Sequence, residues 1–194
     1  MSTIVADNIE PRTAGSSTNI NANINRSSVF PSGHILNVVQ VVKSDTQDMS
    51  TSGSITWTEI SNFNPSITPS KTSSKILLNL CLTIGSEPYS VYAKVQARTG
   101  TGAYTDLTAA MGDASGNRAR IMMSAVGGTA DPAELSTMSM MFLDSPETTS
   151  TRSYKVFFTA RHSGSAHINK SQSDANADYA GRSISTFTLM EIAG

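Results

Sequence analysis

Between positions 75 and 84 the chain reads Lys-Ile-Leu-Leu-Asn-Leu-Cys-Leu-Thr-Ile, and Ile76, Leu78, Leu80, Leu82 and Ile84 take every second place. An extended strand turns alternate side chains to opposite faces, so this run carries one wholly apolar face. A helix of 3.6-residue period would scatter those five around its circumference. A strand of this kind has to be covered by another layer, which already requires a sheet packed on something.

The rest of the chain supplies partners of the same type. Residues 35–42 (Ile-Leu-Asn-Val-Val-Gln-Val-Val) are β-branched and too short a run for a stable helix. Further strands are expected at 54–60, which holds the single tryptophan Trp57, and at 90–98, 119–126, 135–143, 153–161, 166–169 and 183–192. In 153–161, Tyr154, Val156, Phe158 and Ala160 share one face. Turn residues separate these runs, among them Thr99-Gly100-Thr101-Gly102, Gly127-Gly128 and Asp144-Ser145-Pro146. Pro65 and Pro69 restrict 64–70 to an edge or a connection. The best helix start, Asp131-Pro132-Ala133-Glu134, is expected to be only a turn. Eight to ten short strands without a long amphipathic helix predict an all-β chain, an antiparallel sandwich or jelly roll. Its 30 serines and 22 threonines suit that class, because threonine fits a pleated strand and serine its turns.

Residues 1–33 have a different texture. Their large apolar side chains are scattered, chiefly Ile4, Val5, Ile9, Ile20, Ile24 and Phe30, and Asn19, Asn21, Asn23 and Asn25 alternate with Ile20 and Ile24. The spacing is extended, with too little apolar mass for a core. Residues 1–33 therefore read as an arm for assembly, laid along the body, a sister subunit or a larger assembly, and 34–194 as the body.

Fourteen basic and fifteen acidic residues leave a net charge of −1, which excludes a general attraction to nucleic acid or anionic membrane. No apolar run approaches the ~18–20 residues of a spanning helix, and the first residues lack a secretory pattern, so synthesis and folding in a cytosol are expected. Cys81 is the single cysteine, so neither an intrachain disulfide nor a cysteine metal cluster is available.

Chemical motifs are weak throughout. No G-x-S-x-G elbow or phosphate-binding loop occurs. His162 and His167 flank a short turn without evident further ligands. Asp174, Asn176 and Asp178 have the alternating oxygens of a calcium loop, but Tyr179 stands where its glycine belongs and Ser185 where its bidentate acid belongs. Asp113, Ser115 and Asn117 fail in the same way, and both segments read as Asx turns. The expectation is a non-enzyme with no metal and no cofactor. Two Asn-x-Ser sequons, at Asn25 and Asn169, read as chance matches. Met122, Met123, Met138, Met140 and Met141 read as core filling or, with Ser136, Thr137 and Ser139 between them, as a subunit seam.

Five segments, in order, resemble short virion proteins of marine and cyanobacterial tailed phages, the tail-fibre or structural type. They are 1–9 (Met-Ser-Thr-Ile-Val-Ala-Asp-Asn-Ile), 31–40 (Pro-Ser-Gly-His-Ile-Leu-Asn-Val-Val-Gln), 66–77, 143–156 and 185–192 (Ser-Thr-Phe-Thr-Leu-Met-Glu-Ile). The resemblance implies a β-sandwich virion module, a homotrimer, with an N-terminal attachment segment. It carries no catalytic motif. The expected protein is a short fibre or appendage, made in the host bacterial cytoplasm and located in the virion. Its arm would hold other virion proteins of tail or capsid, and its body would adhere to a host-surface glycan or protein. Candidate contact loops are 98–104, 111–117 and 171–182, with Tyr104, Tyr179 and Arg182 the side chains most suited to contact. A head decoration protein that cements capsid subunits through the arm is the alternative, and a virion carbohydrate-binding module or enzyme the third.

Overall fold

The computed structural model describes residues 31–86, 89–125, 131–161 and 163–194. Twelve strands occur there: β1 (Ile35–Lys43), β2 (Gln47–Thr51), β3 (Thr58–Glu59), β4 (Ser66–Ile67), β5 (Lys75–Ser86), β6 (Val91–Thr99), β7 (Thr105–Asp106), β8 (Met123–Ala125), β9 (Ser136–Asp144), β10 (Arg152–Ala160), β11 (Gly164–Ile168) and β12 (Ser185–Ile192). They form two six-stranded antiparallel sheets, and the one helical element is a three-residue 3₁₀ turn at Thr108–Ala110. The all-β sandwich expected from alternation is the observed fold.

The first sheet is built on β5. One edge of β5 pairs with β9 from Ile76↔Asp144 to Ile84↔Ser136. Its other edge pairs with β12 from Lys75 to Cys81, and then with β11 from Ile84 to Ser86. Beyond β12 lies β1, and beyond β11 lies β2. The second sheet is built on the β6–β10 pair, which runs nine residues from Val91↔Ala160 to Thr99↔Arg152. β3 and β4 flank β10, while β7 and β8 flank β6.

Alternation explains the core. Ile76, Leu78, Leu80, Leu82 and Ile84 of β5 are buried, and they share the interior with Phe187 and Leu189 of β12. The second sheet supplies Val91, Ala93, Val95, Tyr154, Val156 and Phe158. Phe187 sits between two rings, with centroids 6.0 Å from Phe63 and 6.2 Å from Tyr154. The Tyr154 hydroxyl donates to Asp144 Oδ2 at 2.8 Å, and Arg152 Nε reaches the same oxygen at 3.0 Å. Burial and the Asp144 charge push the Tyr154 phenol far above its ordinary pKa, so it stays a donor.

Two expected strands shorten, and β2 and β7 form where none was expected. Of 54–60 only Thr58–Glu59 pairs, since Gly53 turns the chain at φ 105°. Of 119–126, pairing covers Met123–Ala125 among the described residues. β2 (Gln-Asp-Met-Ser-Thr) has one apolar residue, so nothing local announces it, and its strand state comes from pairing with β11. The 64–70 segment behaves as expected: Ser66–Ile67 is a two-residue edge piece beside Arg152 and Ser153. The 131–134 segment is a turn.

Gly85 marks the closest approach in the sheet. A Cβ placed there would stand 2.5 Å from the Lys170 carbonyl oxygen and 2.9 Å from Ser171 Cα, because the chain leaving β11 crosses directly over it. Backbone cannot yield as a side chain does, so Gly85→Ala is expected to cost about 1–3 kcal/mol. Leu80→Ala, which empties a fully buried site, is expected to cost about 2–5 kcal/mol. Urea unfolding midpoints of the two variants check both values.

Candidate functional site

The assembly residues Ile4, Val5, Ile9, Ile20, Ile24 and Phe30 lie outside the described residues, as do the Asn25 sequon and His162. What the structure shows is where that segment joins the body. Gly33 N–H donates to the Ala193 carbonyl at 2.7 Å and Ala193 N–H to that of His34 at 2.8 Å, prolonging the β1–β12 ladder. The junction therefore lies at the end of the sandwich where β5 begins at Lys75, beside Ile192.

The three candidate loops do not converge. Loop 98–104 lies at this junction end, since Gly100 N–H donates to the Thr151 carbonyl at 2.8 Å between β9 and β10. Loop 111–117 lies on the free side of β6, held by Gly112 N–H to the Ile121 carbonyl at 3.1 Å. Loop 171–182 leaves β11 towards the opposite end, where Ser173 N–H donates to the Pro132 carbonyl at 3.0 Å.

The contact residues differ as much as their loops. Tyr104 is half-buried and two cations lie over its ring, the Arg98 guanidinium at 4.6 Å and Lys155 Nζ at 4.8 Å from the centroid. Those contacts already engage the π-system a sugar would stack on. Arg182 is exposed and gives Asp174 a two-pronged grip, Nε to Oδ1 at 3.0 Å and Nη2 to Oδ2 at 2.9 Å. Tyr179, 66% exposed, is the freest large side chain of the loop.

The 169–184 loop is tied down by residues that sequence reading assigned no role. Asn169 is fully buried at φ 62°, and its amide donates to the carbonyls of Lys43 at 2.8 Å and Asp45 at 2.9 Å. Its Oδ1 accepts from Ser185 Oγ at 2.7 Å, and that oxygen accepts from Thr83 N–H at 3.0 Å. The Asn169 sequon is thus a structural hub with no room for a glycan. Its one outward signal was an asparagine just after a strand, a residue that tolerates positive φ.

A chain of charges braces the loop from outside. Asp48 on β2 meets His167 Nδ1 at 2.9 Å and Lys170 Nζ at 3.0 Å, and Lys170 lies 3.6 Å from Asp174, which Arg182 holds. Burial opposes the charge on Asp48, but hydrogen bonds from His167 and Lys170 outweigh it and hold its carboxyl below the usual range. The hydrogen bond from Arg182 does the same for Asp174. Of the alternating Asp174, Asn176 and Asp178, Asp174 is thus held in ion pairs, and the turn is closed by Ala177 N–H to the Ala175 carbonyl at 2.8 Å. No group of three or more metal-ligating side chains occurs among the described residues, and no helix among them is long and apolar enough to cross a membrane.

No protein-family model matches the chain, and no curated protein matches it. The solved structures that it is similar to include two of infectious bursal disease virus. The Gx strain structure is 13% identical with a TM-score of 0.38, and the VP2 subviral particle is 11% identical with a TM-score of 0.39. Both matches cover 98% of this chain, which spans 43% and 42% of those chains respectively. Superposition this loose decides nothing about function, and the sandwich rests on the strand pairing described above.

Two outcomes follow for the loop. Asn169→Ala leaves the buried Lys43 carbonyl, the part-buried Asp45 carbonyl and the Ser185 hydroxyl without this partner, so a loss of about 1–3 kcal/mol is expected, with faster amide exchange across 169–184 by mass spectrometry. The lowered carboxyls contribute stability above the ordinary aspartate pKa of about 3.9, and it is lost as pH falls through their folded values. Asp48→Asn is expected to flatten the fall of the urea midpoint below about pH 4.

Proposed function

We propose that this chain is a non-enzymatic virion structural protein of a tailed bacteriophage. In this reading it is a short fibre or appendage that associates as a homotrimer. Residues 1–33 hold it to other virion proteins, and the sandwich faces a host-surface glycan or protein.

The observation that carries the reading is the polarity of the body. The N-terminal segment joins at one end, through Gly33 and Ala193, and the braced loop with exposed Tyr179 and Arg182 leaves towards the other. A protein anchored at the first end presents the second outward, and loops on a rigid scaffold are where binding residues concentrate. The same polarity narrows the candidates. Tyr104 lies at the anchoring end with its ring already engaged, so Tyr179 and Arg182 are the contact residues of this proposal. The ordered resemblance of the five sequence segments to phage virion proteins supports the same assignment.

Immunogold labelling of intact particles, with antibody against residues 34–194, tests the proposal. Gold confined to the tail is the expected result. Gold over the head would replace the fibre by a decoration protein, and unlabelled particles with a demonstrably accessible epitope would overturn both virion assignments.

A further inference from the structure

The two outer faces of the sandwich differ in kind. The second sheet's outer face carries ion pairs, Lys94–Asp106 at 2.9 Å and Lys155–Glu59 at 2.8 Å, and Lys94 over the Trp57 ring at 4.8 Å. The first sheet's outer face carries no charge over three successive rows across four strands. Register places Val38, Met190, Leu77 and Leu143 in one row, and Gln40, Thr188, Asn79 and Met141 in the next. Val42, Thr186, Cys81 and Ser139 form the third.

Among the described residues nine large apolar side chains are exposed, and five of them border or belong to this face: Ile35, Val38, Val42, Met141 and Leu143. Met141 is 67% exposed at its centre row. Such clustering is unlike the single exposed apolar groups normal on a surface. At one end the face is bounded by Lys75, and at the other by the loop that crosses Gly85.

We infer that this face is the surface on which a second copy of this chain docks. Three features select that occupant. A face with no charge meets its own kind without like-charge repulsion, and offers a charged partner nothing to pair with. Four strands over about seven residues project roughly 20 by 25 Å, or roughly 500 Å² before side-chain relief. That is the order of the about 800 Å² per partner of a stable interface. A cover whose backbone is already paired also leaves no polar main-chain group stranded on the apolar rows, as a single extended segment laid flat would. Sheet against sheet, about 10 Å apart with interdigitated side chains, meets both needs. The methionine and serine alternation of β9 then serves both readings at once: Met138 and Met140 turn inward, while Ser139 and Met141 face the partner.

The inference rests on the part of the proposed function in which copies associate, and neither on their number, since a face that meets its own kind joins copies in pairs, nor on position in the tail, so particle labelling and subunit mass fail separately. The test is light-scattering mass of the full-length chain during size exclusion. A mass above one subunit is expected, and Met141→Lys and Val42→Lys are each expected to weaken association at least tenfold with an unchanged circular dichroism spectrum. Ile55→Lys, at an exposed apolar residue outside the face, should leave the mass unaltered. Cys81 gives a readout without mutation, since its maleimide labelling should slow as the concentration of the unaltered chain rises. A one-subunit mass throughout would overturn the inference, and Cys81 protected in that monomer would assign the cover to the chain's own residues 1–30. Lysine variants that keep the native mass would overturn it too, by moving association to another surface. If either variant fails to fold, labelling of Cys81 independent of concentration would do the same.

Discussion

Everything in this molecule hangs on β5 being hydrogen-bonded along both edges while one of its faces is entirely apolar. Pairing with β9 on one side, and with β12 and β11 on the other, satisfies its backbone without water. That allows Leu78, Leu80 and Leu82 to be fully buried. Five buried branched side chains on one strand contribute of the order of 1.5–3 kcal/mol each, which sets the position of the second sheet. β12 follows from this arrangement, because its Phe187 and Leu189 continue the same apolar layer one strand over.

The use of two consecutive partners on one edge of β5 has a structural consequence. Where β12 gives way to β11, the chain between them has to leave the sheet, and it leaves as the 169–184 loop. Buried Asn169 fills that break. It replaces the ladder hydrogen bonds missing there with side-chain bonds to Lys43 and Asp45, and lets the backbone turn at positive φ. The loop then folds back over Gly85, where only a missing Cβ permits contact. Tyr179, the most exposed aromatic among the described residues, is therefore held out on a braced platform and not on a free tether.

Charge is distributed to match. Ion pairs and cation–aromatic contacts gather on the outer face of the second sheet and on the brace of the loop, where they remain wet and contribute little individually. The three outer rows that cross β1, β12, β5 and β9 have none. An antiparallel sandwich in isolation commonly solvates both outer faces with polar residues. A composition rich in serine and threonine lets those rows stay neutral without becoming an insoluble apolar slab.

The alternation of 75–84, 153–161 and 183–192, with glycine and proline between strands, determined the class, the main strands and the inward faces, because those signals are local and have a period of two. Sequence also marked Tyr179 and Arg182 as loop residues, without saying what each would meet. β2, with one methionine among polar residues, and the two-residue strand β7 were silent, since their strand state exists only through a partner. The engagement of Tyr104, the burial of Asn169 and the neutral rows across β1, β12, β5 and β9 were equally invisible. Each joins residues far apart in the chain, and which of them stand side by side is decided by register, a property of paired strands that no single strand contains.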